Sequence, residues 1–425
     1  MSVDRKDEMK KTLKILFPIH VLPTVPLIHT RIMESILPHL KKKYNVQVIW
    51  FVYLPNKIES KPEGYNILDI HDYSDAVELL RNEKPDLVYA HSNRSFDPQF
   101  ALKIAAKFLN IPVLSGVWAD RWLQPKKIKK MFSYLTQFLE NRERANFFIF
   151  KTLFVNATLN AIGFSKLESF SKLCGILQQY FSRNYGYDPK YASDIHWLEN
   201  ESLFDNISKF NYARESLIVT GNPLYDLPIK RIQNFKSQNR PDKKIQVLFA
   251  TSLIAEHGIW TTKQRDYVIR NVVKNVSLDD DLCLTIKLSP QDNYDYYKSL
   301  VHSIDKNILI FKDGDFLDYL EKTDVVISFS GVTSIAIFTL LARKPLVITN
   351  FFNIKGDKPI EEKVAINCES PSQLTNLIKM GITNMQEKKI ARFIKDTFYK
   401  EDGEAAQRLC EHVINFIETR RNEIK

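Results

Sequence analysis

Apolar and polar positions along this chain follow two periods in turn, and their succession predicts most of its architecture. KILFPI at 14–19 is an apolar run suited to a buried strand. IHTRIMESILPHLKKK at 28–43 spaces its apolar residues three and four apart, the helical period, and NVQVIWFVY at 45–53 is a second strand. SDAVELLRNE then reads as a helix, DLVYAH as a strand, DPQFALKIAAKFLN as a helix and PVLSG as a strand. Strands separated by helices of this length need crossovers, so the sheet is expected to be parallel. From 125 to about 190 the pattern turns helical and aromatic-rich, an insertion, before SDIHWL and SLIVTG supply two more short strands.

The run KRIQNFKSQNRPDKK at 230–244 is polar, charged and proline-bearing, and is the best linker in the chain. A second alternating series follows. KIQVLFAT leads to a helix near TTKQRDYVIRNVVKNV, the strands DLCLTIKL and NILIFK, a helix at FLDYLEK, and then VVISFSGVTSIAIFTLLARKPLVI at 325–348. From about 371 the tail is helical. The expected class is α/β, with two doubly wound domains at 1–229 and 245–400, a linker at 230–244, and a final helix at 401–425 returning toward the first domain. An internal echo supports the duplication: KPDLVYAHSNRSFDPQFALKIAAKFLNIPVLSG and KTDVVISFSGVTSIAIFTLLARKPLVITN both read Lys-x-Asp, strand, Ser-bearing loop, helix, Pro-initiated strand. Any two strand–helix–strand units share much of that pattern.

Bulk properties narrow the partners. At 425 residues the chain exceeds what one core usually serves, and 44% hydrophobic with 26% charged residues is an ordinary globular composition. A formal charge of +10 favours something acidic: a nucleotide, a nucleic acid or an anionic lipid surface. The excess is spread through patches such as Lys41–Lys43 that read as solvated surface. Cys174, Cys283, Cys368 and Cys410 form no C-x-x-C pair, which argues against a zinc site or a disulfide framework and suits a reducing cytoplasm. The N-terminus lacks the pattern of a signal peptide. ANFFIFKTLFVNATLNAIGF at 145–164 is broken by Lys151, Asn156 and Asn160 and falls short of a transmembrane span. Arg142, Arg144 and Lys151 beside phenylalanines suit an interfacial helix at the inner face of the cell membrane; a buried inter-domain helix is the alternative.

The seam at 328–334 carries the candidate chemistry. In a parallel α/β sheet, ligands bind where strand ends lead into helix N-termini, whose unsatisfied N–H groups and dipole attract phosphate. Gly331 lets backbone approach an oxygen closely, and Ser330, Thr333 and Ser334 offer hydroxyls without bulk. Ser and Thr are also ordinary helix caps, and no Walker lysine or G-x-G-x-x-G accompanies the turn.

Taken in order, SDIHWLENESLFDNI, ESLIVTGNPLYD, FATSLIAEHGIWTTKQRDYV, TIKLSPQDN, VVISFSGVTSIAIF and YKEDGEAAQRL resemble the GT-B glycosyltransferases. The likeness is to the branch near the bacterial surface-polysaccharide and CDP-glycerol glycerophosphotransferases and the UDP-N-acetylglucosamine 2-epimerases. It spans about 193 to 416; over 1–190 it rests on the alternating pattern alone.

That resemblance implies two Rossmann-like domains facing across a cleft and a nucleotide-activated sugar donor. Thr220-Gly221-Asn222-Pro223 with Asp226 looks like the turn closing the first domain. Thr251, Ser252 and Glu256, with His257 and Gly258, would lie near the donor phosphates, where Lys287 of Lys287-Leu288-Ser289-Pro290 would neutralise charge. Ser289 stands where that family often has histidine, and His257 is the nearest substitute for protonating the leaving phosphate. Ser330, Gly331, Thr333 and Ser334 would hold the diphosphate, and Asp402-Gly403 with Arg408 looks like the returning tail.

Glycosyl transfer needs donors aimed at the leaving diphosphate and a base for the acceptor hydroxyl. His91 and Asp120 rank first as that base because each follows a strong strand; His20 and Asp97 are further candidates. Asp279-Asp280-Asp281 matches a metal-binding D-x-D by letters but precedes a strand, so no metal and no cofactor are implied. The resemblance implies a glycan, lipid-linked or polyol hydroxyl as acceptor. A hydrolysing 2-epimerase and a non-catalytic nucleotide-sugar-binding homologue are the alternatives. Nucleic acid is disfavoured, because no basic-aromatic array is present.

Overall fold

A computed structural model of the chain describes residues 10–19, 28–58, 64–90, 98–117, 142–182, 193–208, 213–235, 244–256, 258–331 and 333–423. It divides into two compact units, Met1–Leu224 with Glu404–Lys425, and Tyr225–Gly403.

The first unit runs β1 (Thr12–Ile19), α1 (Ile28–Leu40), β2 (Asn45–Val52), β3 (Tyr65–Asp69), α2 (Ala76–Glu83), β4 (Leu87–Tyr89), α3 (Pro98–Phe108), β5 (Val113–Val117), α4 (Arg142–Ala161), α5 (Lys166–Ser182), β6 (Ile195–Leu198), α6 (Glu201–Ile207) and β7 (Leu217–Val219). Its seven-stranded sheet is ordered β3-β2-β1-β4-β5-β6-β7, with every pairing parallel. Both faces are covered, which is why its strands read as continuous apolar runs. From β1, Leu13, Ile15 and Phe17 pack beneath α1, while Leu16 points to the face covered by α2, α3 and α4.

The second unit runs α7 (Asp226–Gln233), β8 (Ile245–Ala250), α8 (Thr262–Ser277), β9 (Leu282–Lys287), α9 (Tyr294–His302), β10 (Leu309–Phe311), α10 (Phe316–Glu321), β11 (Val325–Ser328), α11 (Ser334–Leu341), β12 (Leu346–Thr349), α12 (Lys358–Glu361), β13 (Ile366–Cys368), α13 (Leu374–Thr383) and α14 (Glu387–Thr397). Its six strands are ordered β10-β9-β8-β11-β12-β13, again all parallel. Val247 and Phe249 of β8 face α8, α9 and α13; Leu248 faces α7, α10, α11 and α14. A capping box between Thr261 and Gln264 starts α8. The last helix, α15 (Ala405–Glu423), belongs to the first unit, where Leu409, Val413 and Ile417 join α1 over the sheet.

The echo in the sequence falls on equivalent places. β4 and β11 are each the strand beside which the order reverses, the switch point where α/β sheets bind ligands. Asp86 accepts a 2.8 Å hydrogen bond from the Lys14 amide before β4, and Asp324 accepts one of 2.8 Å from the Gln246 amide before β11. Pro112 and Pro345 close the pattern identically, each accepting through its carbonyl from an amide of that strand, Val88 and Val326 respectively.

The expected linker at 230–244 needs correction at its start. Asp226–Gln233 is helical, and Ile229 and Ile232, three apart, are buried in the core of the second unit. Of the aromatic insertion, α4 and α5 are described. Phe147, Phe154, Val155 and Leu159 of α4 pack within the first unit's own core. Ile149 and Leu153 of α4, and Leu167 and Phe170 of α5, are exposed. No helix among the described residues is long and apolar enough to cross a membrane.

Candidate functional site

All six strands of the second unit point the same way, so the loops after β8, β9, β11 and β12 emerge at one edge of the sheet. The switch point lies between β8 and β11. After β11, Phe329 is buried and the chain turns through Ser330 and Gly331 into α11. Thr333 is the N-cap of α11: its Oγ1 accepts from the Ala336 amide at 3.3 Å. Positions Ser334 and Ile335 then hold the first-turn amides that a helix leaves without intrahelical partners. Ser334 is exposed, and its hydroxyl makes no hydrogen bond among the described residues.

The oxygen that approaches Gly331 is the chain's own. Asp357, just before α12, places Oδ2 2.7 Å from the Gly331 amide and 3.1 Å from the Ser330 hydroxyl, and accepts from both. A Cβ on Gly331 would lie 2.4 Å from Asp357 Oδ1, 2.7 Å from Pro359 Cγ and 2.9 Å from Ile348 Cδ1. Glycine is required here by close approach, its φ being unexceptional.

The β8 and β9 loops are tied together by Asp292. Its Oδ2 accepts from Thr251 Oγ1 at 2.5 Å and from the Ser289 amide at 2.9 Å. Thr251, buried, is therefore a strut between loops, and Ser252 follows it half-buried. Lys287, expected to meet phosphate, is 5% exposed and donates through Nζ to the carbonyls of Leu288 at 2.9 Å and Lys312 at 2.7 Å. Burial pulls its pKa below the ordinary lysine value, against the opposing carboxylates of Asp313, Asp315 and Asp292. The geometry thus gives its ammonium to loop carbonyls. Glu256 accepts from Arg265 Nη1 at 2.8 Å, and the Arg265 guanidinium also bonds Asp266 and lies 5.2 Å from the ring centroids of Tyr296 and Tyr297. Burial, with Asp292 nearby, pushes the Tyr297 hydroxyl above its ordinary pKa.

The first unit has its own strand-end turn. Thr220 is buried, Gly221 adopts φ +85°, and Asn222 accepts from the Leu224 amide at 3.0 Å while its Nδ2 lies 3.4 Å from Glu199 Oε1. Arg408 Nε donates to the Thr220 carbonyl at 2.9 Å, so the returning helix is fastened to this turn. His20, His91, Asp97, Asp120 and His257 lie outside the described residues. Thr251, Ser252, Glu256, Lys287, Ser330, Gly331, Thr333 and Ser334 lie at the carboxyl ends of the second unit's strands and in the segments that follow them; Arg408 belongs to the first unit. Asp357, Asp292, Arg265 and Glu199 were not singled out by their letters. Among the described residues no group of three or more His, Cys, Asp or Glu could hold a metal ion. Asp279 and Asp281 instead pair with Lys379 at 2.9 and 2.7 Å, before β9 and away from this edge.

Two parallel sheets of this strand order, each clad in helices on both faces, are the two Rossmann-like domains of the GT-B fold. Solved structures of that fold match nearly the whole chain. One is a UDP-GlcNAc 2-epimerase from Neisseria meningitidis bound to UDP-GlcNAc (TM-score 0.53, 16% identity, 95% of this chain and 100% of that one). Another is the wall teichoic acid polymerase TagF (TM-score 0.53, 13% identity, 98% and 92%). A third is S. aureus MnaA with UDP (TM-score 0.52, 16% identity, 96% and 97%). At these identities the likeness is one of fold. No protein-family profile and no curated protein matches the chain by sequence.

Proposed function

We propose that the chain is a nucleotide-sugar enzyme of the GT-B type, a transferase that moves a sugar or related group from a nucleotide-activated donor to a glycan, lipid-linked or polyol acceptor. The observation that carries this reading is the β11–α11 turn. At the switch point of the second sheet, small hydroxyl residues surround the N-terminus of an eight-residue helix, and Ser334 is exposed on its first turn. Negative charge growing on a leaving nucleoside diphosphate would be met by the Ser334 and Ile335 amides and the Ser334 hydroxyl. His91 or Asp120 is proposed to take the acceptor proton, and His257 to protonate the leaving phosphate. Solved structures with UDP or UDP-GlcNAc in their names support the donor class, and TagF supports the transfer to a surface polymer.

The test is a thermal-shift panel of UDP, CDP, CMP, GDP and ADP, with and without magnesium, on the wild type and on a Ser330→Ala, Thr333→Ala, Ser334→Ala variant. A nucleotide at about a hundred times its dissociation constant adds roughly 2.7 kcal/mol of stability. Selective stabilisation that the folded triple variant loses supports the reading; silence across the panel refutes it. The epimerase names favour a second reading, UDP-N-acetylglucosamine 2-epimerisation. Formation of the 2-epimer without any acceptor, either still linked to UDP or, where water cleaves that bond, as free sugar with UDP, distinguishes it. Ile149, Leu153, Leu167 and Phe170 support peripheral membrane contact, and failure to co-sediment with anionic vesicles would remove it.

A further inference from the structure

Asp357 occupies the N-cap position of α12 yet makes no side-chain cap bond to that helix. Its carboxylate turns instead to the Ser330–Gly331 turn, 26 residues earlier in the chain, accepting from the Gly331 amide at 2.7 Å and the Ser330 hydroxyl at 3.1 Å. Asp357 is 6% exposed, and its Oδ1 is buried with no hydrogen-bond partner among the described residues. Leaving a carboxylate oxygen idle in the interior is costly, and giving up a cap adds to the cost. Both are offset by what Oδ2 holds.

Two roles fit a carboxylate on this turn. It could be an internal anion standing where a donor phosphate goes, or a clamp working from behind. The surroundings of Gly331 decide between them. The side of Gly331 facing Asp357 is filled by Pro359 and by Ile348 of β12, both buried, so no ligand approaches from there. The Ser334 and Ile335 amides, the groups an anion would use, lie further along and donate nothing to Asp357. We propose that Asp357 is a positioning residue of the donor-phosphate turn: held by its carboxylate, Ser330 and Gly331 fix the entry into α11 and so aim the first-turn amides at the ligand. The inference rests on the nucleotide reading given above, and goes beyond it by naming the residue that preorganises the site.

The experiment uses the full chain carrying Asp357→Ala or Asp357→Asn, with two readouts: amide hydrogen exchange over 328–336 and calorimetric titration with UDP and CDP. Asp357→Ala should speed exchange at Gly331 and weaken nucleotide binding, each by about tenfold or more, the effect of losing one charge-assisted hydrogen bond. Asp357→Asn keeps an acceptor oxygen for the amide and should restore both. If Asp357→Ala does not fold, Asp357→Glu displaces the oxygens by one carbon and should give the same losses. Unchanged exchange at Gly331 overturns the clamp, and tighter nucleotide binding by Asp357→Ala establishes the internal anion in its place. Should the wild type bind neither nucleotide, the functional reading fails, while the exchange data still decide whether Asp357 holds the turn.

Discussion

Replacing Gly331 by alanine probes the Asp357 contact from the other side. The new methyl group would sit 2.4 Å from Asp357 Oδ1, 2.7 Å from Pro359 Cγ and 2.9 Å from Ile348 Cδ1, all far inside van der Waals contact. Pro359 is rigid and Ile348 is held in β12, so the movable neighbour is the Asp357 side chain. Relief therefore requires that carboxylate to swing away and break its 2.7 Å bond to the Gly331 amide. Overpacking costs about 1–3 kcal/mol and loss of a hydrogen bond to a charged group about 1.5–3, so Gly331→Ala should destabilise by roughly 2.5–6 kcal/mol. For a unit of this size that lowers the melting temperature by at least about 5 °C. Scanning calorimetry of the full chain reads it directly. Gly175→Ala, on an open face of α5 with nothing within 4 Å of the new methyl, is the control, and should gain up to about 1 kcal/mol. In a double-mutant cycle, Gly331→Ala and Asp357→Ala should be non-additive, since the second change removes the nearest group the first collides with and the hydrogen bond that both disrupt. A loss below about 1 kcal/mol, or simple additivity, would refute the geometry on which the turn is read.

The other expectations concern different places in the fold. Gly116→Ala would put a methyl 2.0 Å from Cε2 of fully buried Trp197, and should cost at least about 3 kcal/mol, seen as loss of near-UV circular dichroism; a native spectrum contradicts it. His196 is fully buried, 2.6 Å from Ser115 Oγ, and burial, then Lys103 and Lys107, hold its pKa well below the ordinary value. Only the unfolded chain takes up that proton below about pH 6.5, so the stability His196 contributes is present above that pH and lost as pH falls. Urea midpoints on either side of about pH 6.5 should fall in the wild type and fall less in a folded His196→Gln; equal falls exclude the residue. Lys287→Met strands the Leu288 and Lys312 carbonyls and should destabilise by about 1–3 kcal/mol while nucleotide affinity in calorimetry stays within about twofold; a tenfold loss would restore its phosphate role.

The parts of the fold legible in the sequence are those where burial on both faces leaves a strong pattern. β1, β2, β8, β9, β11 and β12 are apolar runs because helices cover both sides of their sheets. The paired Lys-x-Asp signatures were legible for a similar reason: Asp86 and Asp324 each meet an amide near the start of the neighbouring strand. β3 and β13 escaped because edge strands are half-wet; Asn66 in β3 is exposed, and only Cys368 of β13 is buried. α7 was absorbed into a linker because two inward isoleucines among charged residues are a faint helical signal. α9, with the polar run YDYYKS at its start, gave no clean period either.

The candidate site was legible in outline and opaque in its wiring, and the reason is physical. A glycine between hydroxyl residues after a buried strand announces that something approaches the backbone closely, but it does not say what. At Gly331 the approaching oxygen belongs to Asp357, separated by 26 residues and lodged in FFNIKGDKP, a run with no period to flag it. Lys287 shows the same ambiguity from the side of the cation. Its letter promises a positive charge at a strand end, yet the partners that claim it are the carbonyls of Leu288 and Lys312, and carbonyls have no letters. Side-chain hydroxyls, amides and ammonium groups are therefore readable as capacities, whereas which capacity is already spent inside the protein depends on tertiary contacts. What remains unspent at this edge, the exposed Ser334 hydroxyl and the first-turn amides of α11, is what a ligand can use, and it is on those groups that the nucleotide reading stands.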